Sequence, residues 1–136
     1  TAAALGHLRA SRGRAVYLSS VSASHTPPWP GLGAYVVSKA ALEKLVDAWR
    51  TEHPDVGFTR LVVGNCAGGT GEGATGFADS WDWDLAAEVG PLWTARGYLG
   101  DTFLDVEDLV GVVDAVLRAG PTASIPSVVV TQSERS

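Results

Sequence analysis

Tyr35 and Lys39 stand four residues apart in a run whose apolar residues recur at helical spacing: Val36, Val37, Ala40, Leu42, Leu45, Val46 and Trp49. On a helix over Tyr35–Arg50 the two side chains share one face. A phenol with a pKa of about 10 is a poor acid or base at neutral pH. An ammonium one turn away favours the phenolate and lowers that pKa towards neutral pH. Such a tyrosine can donate a proton to a carbonyl oxygen or take one from an alcohol. A serine hydroxyl held nearby can hydrogen-bond the same oxygen. Ser19 and Ser20 close the apolar run Gly13–Leu18, just ahead of the pair. Taken singly, a helical Tyr and Lys do no more than cover apolar surface; the chemistry lies in the combination.

The elements that must position these groups follow from periodicity. Gly13–Leu18, with β-branched and aromatic members, reads as a buried strand. A loop broken by Pro27, Pro28 and Pro30 leads into the helix, and His53-Pro54-Asp55 ends it. Val56–Val63 is a second buried strand, so strand, helix and strand form a βαβ unit with a parallel pair and a right-handed crossover. Parallel sheets present ligands at their carboxyl ends, where Ser20 and Gly64 fall. Thr1–Ser11 reads as a preceding helix. Asp105 caps a helix with Val106, Leu109, Val110, Val113 and Leu117, stopped by Gly120-Pro121, and Ile125–Val130 is a third parallel strand. Gln132–Ser136 is a polar tail.

Between the second strand and the last helix the signals are less regular. Gly71–Gly76 matches G-x-G-x-x-G, but no strand directly precedes it and no helix follows, so a dinucleotide turn is rejected; Gly-Lys-Ser/Thr is absent, so it is no P-loop. Phe77–Leu99 carries Trp81, Trp83, Trp93 and Tyr98, with Asp79, Asp82 and Asp84 interleaved. Asp82 or Asp84 caps a short helix over Leu85–Val89, ended by Gly90-Pro91. The aromatics suit an apolar pocket, a satellite core or a subunit interface.

Composition bounds the function class. The 136 residues make one domain, with 46% hydrophobic and 18% charged residues, as in an ordinary globular α/β protein. A net charge of −5 argues against a nucleic-acid partner. Arg9, Arg12 and Arg14 are the densest basic group, which a solvated helix end explains. One cysteine, Cys66, rules out an internal disulfide and suits a reducing, cytoplasmic compartment. No membrane span or signal peptide is visible. The three aspartates lack His or Cys partners, so no transition-metal site is expected; His7, His25 and His53 are scattered. No Gly-x-Ser-x-Gly elbow supports hydrolysis through Ser20.

Gly13-Arg14-x-Val16-x-x-Ser19-Ser20-Val21, a loop, then Tyr35-x-x-Ser38-Lys39-Ala40-Ala41-Leu42 resembles the short-chain dehydrogenase/reductase family. The resemblance implies a doubly wound parallel α/β (Rossmann-like) fold, here its C-terminal half. It implies hydride transfer between NAD or NADP and a small-molecule carbonyl or alcohol. Carried over, Tyr35 is the acid/base and also contacts the cofactor, Lys39 lowers its pKa and binds the nicotinamide ribose, and Ser20 holds the substrate oxygen. Ser22, thirteen residues before Tyr35, fits the usual count better than Ser20 at fifteen. Ser20 fits the strand motif, and the inserted Pro27-Pro28-Trp29-Pro30 accounts for the two extra residues. Gly64 and Cys66 correspond to the loop that touches the nicotinamide carboxamide, although Val63 replaces the family's proline and its threonine is Gly68 or a shifted Thr70. Gly64-Asn65-Cys66-Ala67-Gly68 looks like the family's Asn-Asn-Ala-Gly, but it follows Tyr35 and Lys39 instead of preceding them. Phe77–Leu99 corresponds to the substrate lid. A complete member is about twice as long and begins with a glycine-rich turn that is not found here. The strand Ala15–Leu18 is therefore expected to pair with that missing half or with another copy in a homo-oligomer. The rival reading is a truncated or degenerate reductase-like piece, inactive and serving only binding or assembly.

Overall fold

The computed structural model describes residues 1–66, 68–69 and 76–133. Three parallel strands, β1 (Arg14–Ser20), β2 (Gly57–Val63) and β3 (Ser127–Val130), lie in the order β1-β2-β3. Ser20 pairs with Val63 and Val63 with Val130, so all three strands end level. Helices α1 (Leu5–Ser11), α2 (Val21–Ser24), α3 (Gly33–Glu52), α4 (Trp83–Ala95) and α5 (Val106–Leu117) flank and extend the sheet, giving a Rossmann-like α/β architecture.

Alternation along the strands decides what α3 covers. Ala15 and Tyr17 of β1 and Phe58 of β2 join Val46 and Trp49 of α3 and Leu5 and Leu8 of α1 in the main core, where Val46 is fully buried. No side chain caps the start of α3 at Leu32, so burial and not capping fixes where it sits. Gly31, one residue earlier, has φ +80 and its open face lies 3.3 Å from Val89, a turn that an L side chain would strain. A second, smaller core joins Trp29, Val89 and Trp93, with Leu32, Trp81, Tyr98 and Leu99 packed against it.

Several boundaries differ from the sequence expectation. The first turn, Ala2–Ala4, is a 3-10 helix before α1 begins. Val21–Ser24 forms α2, a single turn that periodicity has no length to reveal. β3 starts at Ser127 because Pro126 has no N–H to give; its carbonyl accepts from Arg60 N at 3.1 Å instead. The largest departure is α4, capped by Asp82 and running through Gly90-Pro91 to Ala95. An interior proline costs a helix about 3 kcal/mol. Here Val89 and Trp93, on either side of Pro91, are both buried against Trp29, so packing holds the two segments in one helix. Ala67, Thr70 to Thr75 and the last three residues lie outside the described residues, and most of the G-x-G-x-x-G stretch with them. No helix among the described residues is long and apolar enough to cross a membrane.

Leu61 is fully buried in β2, while Val37 on α3 is 68% exposed. Leu61→Ala should lower stability by about 2–5 kcal/mol in urea unfolding, and Val37→Ala by no more than ~0.5 kcal/mol.

Candidate active site

β1 carries its serines to the level carboxyl edge of the sheet. Ser20 caps α2: its Oγ accepts from Ser22 N at 3.3 Å and lies 2.9 Å from Ser22 Oγ. The two hydroxyls the spacing could not separate therefore share one place, Ser20 half-buried and Ser22 buried. Lys39, in the second turn of α3, reaches back to β1, where Nζ donates to Leu18 O at 2.9 Å. The same Nζ lies 5.7 Å from the centre of the Tyr35 ring. The one-face relation read from the i, i+4 spacing is present, and Lys39 is anchored two residues before Ser20.

A cavity of about 290 Å³ opens beside Tyr35, lined by Trp81, Asp82, Leu85, Val89 and Trp93 among others. Trp29, from the proline-rich loop, stacks on Tyr98 at 5.4 Å and lies 5.5 Å from Trp93. Its Nε1 donates to Thr26 Oγ1, and Trp93 Nε1 donates to Pro30 O, both at 2.9 Å. The aromatic segment is thus both satellite core and cavity wall. The proline-rich loop supplies the tryptophan that docks α4 beside Tyr35.

One residue escaped the sequence reading. Glu43 sits inside α3, 6% exposed, and accepts from Ser19 Oγ at 2.7 Å, Ser24 Oγ at 3.0 Å and Arg60 Nη1 at 3.2 Å. Arg60 Nε is itself buried without a hydrogen-bond partner. The signal was available: Glu43 stands at helical spacing between Val36 and Val46, a charge in the middle of the apolar stripe. Ser24 Oγ also lies 3.0 Å from Nδ1 of the exposed His25.

On the next strand, Gly64 N donates to Val130 O at 2.8 Å, continuing the sheet by one residue. A Cβ at Gly64 would meet Gln132 Oε1 at 2.9 Å and the Thr131 backbone at 3.0 Å, so close approach to the neighbouring strand explains this glycine. Cys66 bridges to Leu104, and burial raises its thiol pKa, with the charge of Asp105 adding to the effect.

No protein-family profile matches the chain, and no curated protein matches it. A solved alcohol dehydrogenase from the archaeon Thermococcus sibiricus, complexed with 5-hydroxy-NADP, superimposes with a TM-score of 0.66 at 20% identity. The match covers 97% of this chain and 47% of that one. The likeness shows the fold. The chain spans about half the length of that dehydrogenase.

Chemically, the structure sets a phenol at the wall of a largely apolar cavity and an ammonium beside it, and that ammonium grips the strand that ends in Ser20, whose hydroxyl meets that of Ser22 in α2. Every one of these attachments runs through α3 and β1, which Glu43 ties together. Glu43→Ala should cost about 3 kcal/mol or more in chemical denaturation, because Arg60 is left partly buried without its counter-charge. Adding Arg60→Met should recover part of that loss. The half-buried Cys66 thiol, its pKa raised, should react with iodoacetamide at pH 7.5 several-fold more slowly than a small exposed thiol, as read by mass spectrometry.

Proposed function

We propose that the chain is the catalytic part of an NAD(P)-dependent oxidoreductase of short-chain dehydrogenase/reductase type, interconverting a small-molecule carbonyl and an alcohol. The observation that carries this reading is Lys39 held between Leu18 O and the Tyr35 ring, at the carboxyl edge of a parallel sheet and next to an apolar cavity. Likeness in fold to an NADP-complexed alcohol dehydrogenase supports it.

The residues divide the work as follows. The Tyr35 hydroxyl gives a proton to the carbonyl oxygen on reduction and takes one from the alcohol on oxidation. Ser20 Oγ holds that oxygen, with Ser22 Oγ hydrogen-bonded against it. Lys39 commits one N–H to Leu18 O and keeps two donors for ribose hydroxyls, a donor set that fits a dinucleotide. Gly64 and Cys66 mark the loop that contacts the cofactor, with the Gly64 amide held by β3. NAD(P), when bound, supplies or accepts the hydride. The apolar wall of Trp81, Leu85 and Val89 favours a small apolar or aromatic substrate and keeps water from the reacting carbon.

β1 is the edge of the sheet among the described residues. Its outer side takes a further strand, from the same polypeptide or from a second copy, which completes the site. The single thiol fits a reducing cytoplasm.

The test uses the intact translated product. It should oxidise NADPH or NADH with aryl or alkyl carbonyl compounds, and Tyr35→Phe should lower kcat about 100-fold or more, far beyond any loss of cofactor affinity. A product that binds neither nucleotide, or a Tyr35→Phe variant with full turnover, overturns the enzyme in favour of the binding-only piece.

A further inference from the structure

The opposite end of the sheet holds a second, larger cavity, of about 550 Å³. It is enclosed by the three loops that lead into β1, β2 and β3, and its lining includes Arg12, Arg14, Arg50, Asp55, Thr122 and Ser124. Arg12 and Arg14, two of the three basic residues that the sequence explained as a solvated helix end, therefore have a shared destination.

Their arrangement is built. Arg14 lies along the bare face of Gly57, where a Cβ would meet its Cγ at 3.1 Å and its Cζ at 3.5 Å. Its Nη2 is tethered to Ala123 O at 2.9 Å, while Nε is buried with no hydrogen-bond partner. Arg50 is fixed by Nη1 to Pro126 O at 2.5 Å and by Nη2 to Asp47. Arg12 closes α1 in the left-handed conformation, φ 49 and ψ 35, where glycine is the usual choice. Asp55 is the carboxylate on the wall, and Arg9 Nε holds it at 2.6 Å, which keeps its carboxyl below the ordinary range. The guanidiniums of Arg9, Arg12, Arg14 and Arg50 thus outnumber the carboxylates Asp47 and Asp55. Planar forked donors, two of them held in place by the loop carbonyls of Ala123 and Pro126, match an oxyanion better than a neutral ligand.

We infer that this cavity is a binding site for a small, multiply charged oxyanion of the phosphate class, separate from the Tyr35 site and independent of its chemistry. Arg12 and Arg14 supply the principal donors, Arg50 the flanking charge, and Thr122 and Ser124 stand on the loop that closes the third side.

Sodium pyrophosphate is the probe, titrated into ¹⁵N-labelled protein at constant ionic strength set with NaCl. Saturable amide shifts are expected in residues 12–14, 55–58 and 121–126, with Kd below ~1 mM. Arg14→Gln should weaken binding at least about fivefold. Arg12→Gly is the decisive variant, since it gives the left-handed position its preferred residue and should keep or raise Tm while weakening pyrophosphate at least about fivefold. Non-saturable shifts up to ~10 mM, shifts centred elsewhere, or an Arg12→Gly protein that folds and binds with unchanged affinity would overturn the site.

Discussion

Glu43 brings a carboxylate into the layer between α3 and the sheet, and the layer is arranged to satisfy it. Its partners come from three different elements: Ser19 at the end of β1, Ser24 in α2 and Arg60 in β2. A buried charge without partners costs far more than the few kcal/mol that separate folded from unfolded chains. Moving α3 by one turn, about 5.4 Å, would strip all three partners away at once. The apolar contacts of Val36 and Val46 tolerate small slides; the Glu43 network does not. Since no side chain caps the start of α3, this network is what sets the height of the helix over β1. Lys39 lies one turn from Glu43 and Tyr35 two turns, so the candidate proton-transfer pair inherits its position from a residue that takes no part in the chemistry.

The proline-rich loop plays the matching role on the other side of Tyr35. Pro27, Pro28 and Pro30 restrict the backbone around Trp29, and the indole becomes the centre on which Trp93, Tyr98 and Val89 gather. Two indole N–H bonds, to Thr26 and Pro30, fix the rings in orientation as well as depth. α4 can then continue through Pro91, because the packing on either side of the proline outweighs the missing bond. The cavity beside Tyr35 exists because α4 is held there.

What could be read in the sequence follows the range of the forces involved. β1, α3, β2 and α5 were legible because buried faces impose a period that local sequence carries, and the Asp105 cap is a contact within two residues. The Tyr35–Lys39 relation was legible for the same reason. What was missed depends on partners distant in the chain. The passage of α4 through Pro91 rests on Trp29, and the burial of Glu43 rests on Arg60. The requirement for glycine at Gly64 rests on Thr131, 67 positions away from it in the chain. Even so, a charge in an apolar stripe is a local anomaly, and Glu43 showed it.

The contrast between the two ends of the sheet has a single topological origin. Parallel strands linked by helices place every strand's carboxyl end on one edge, and every helix C-terminus near the other. Helix C-termini carry negative partial charge and favour cations in their last turn. Arg9 lies in the last turn of α1, Arg50 in the last turn of α3 and Arg118 follows α5, so the topology alone draws basic side chains to that edge. This accounts for Arg9 and Arg50, which answer Asp55, Asp47 and a loop carbonyl. It does not account for Arg12, a non-glycine residue in left-handed backbone, nor for the buried Nε of Arg14. Arg12 carries its strain on the cavity wall, and that cost is offset if an oxyanion binds beside its guanidinium.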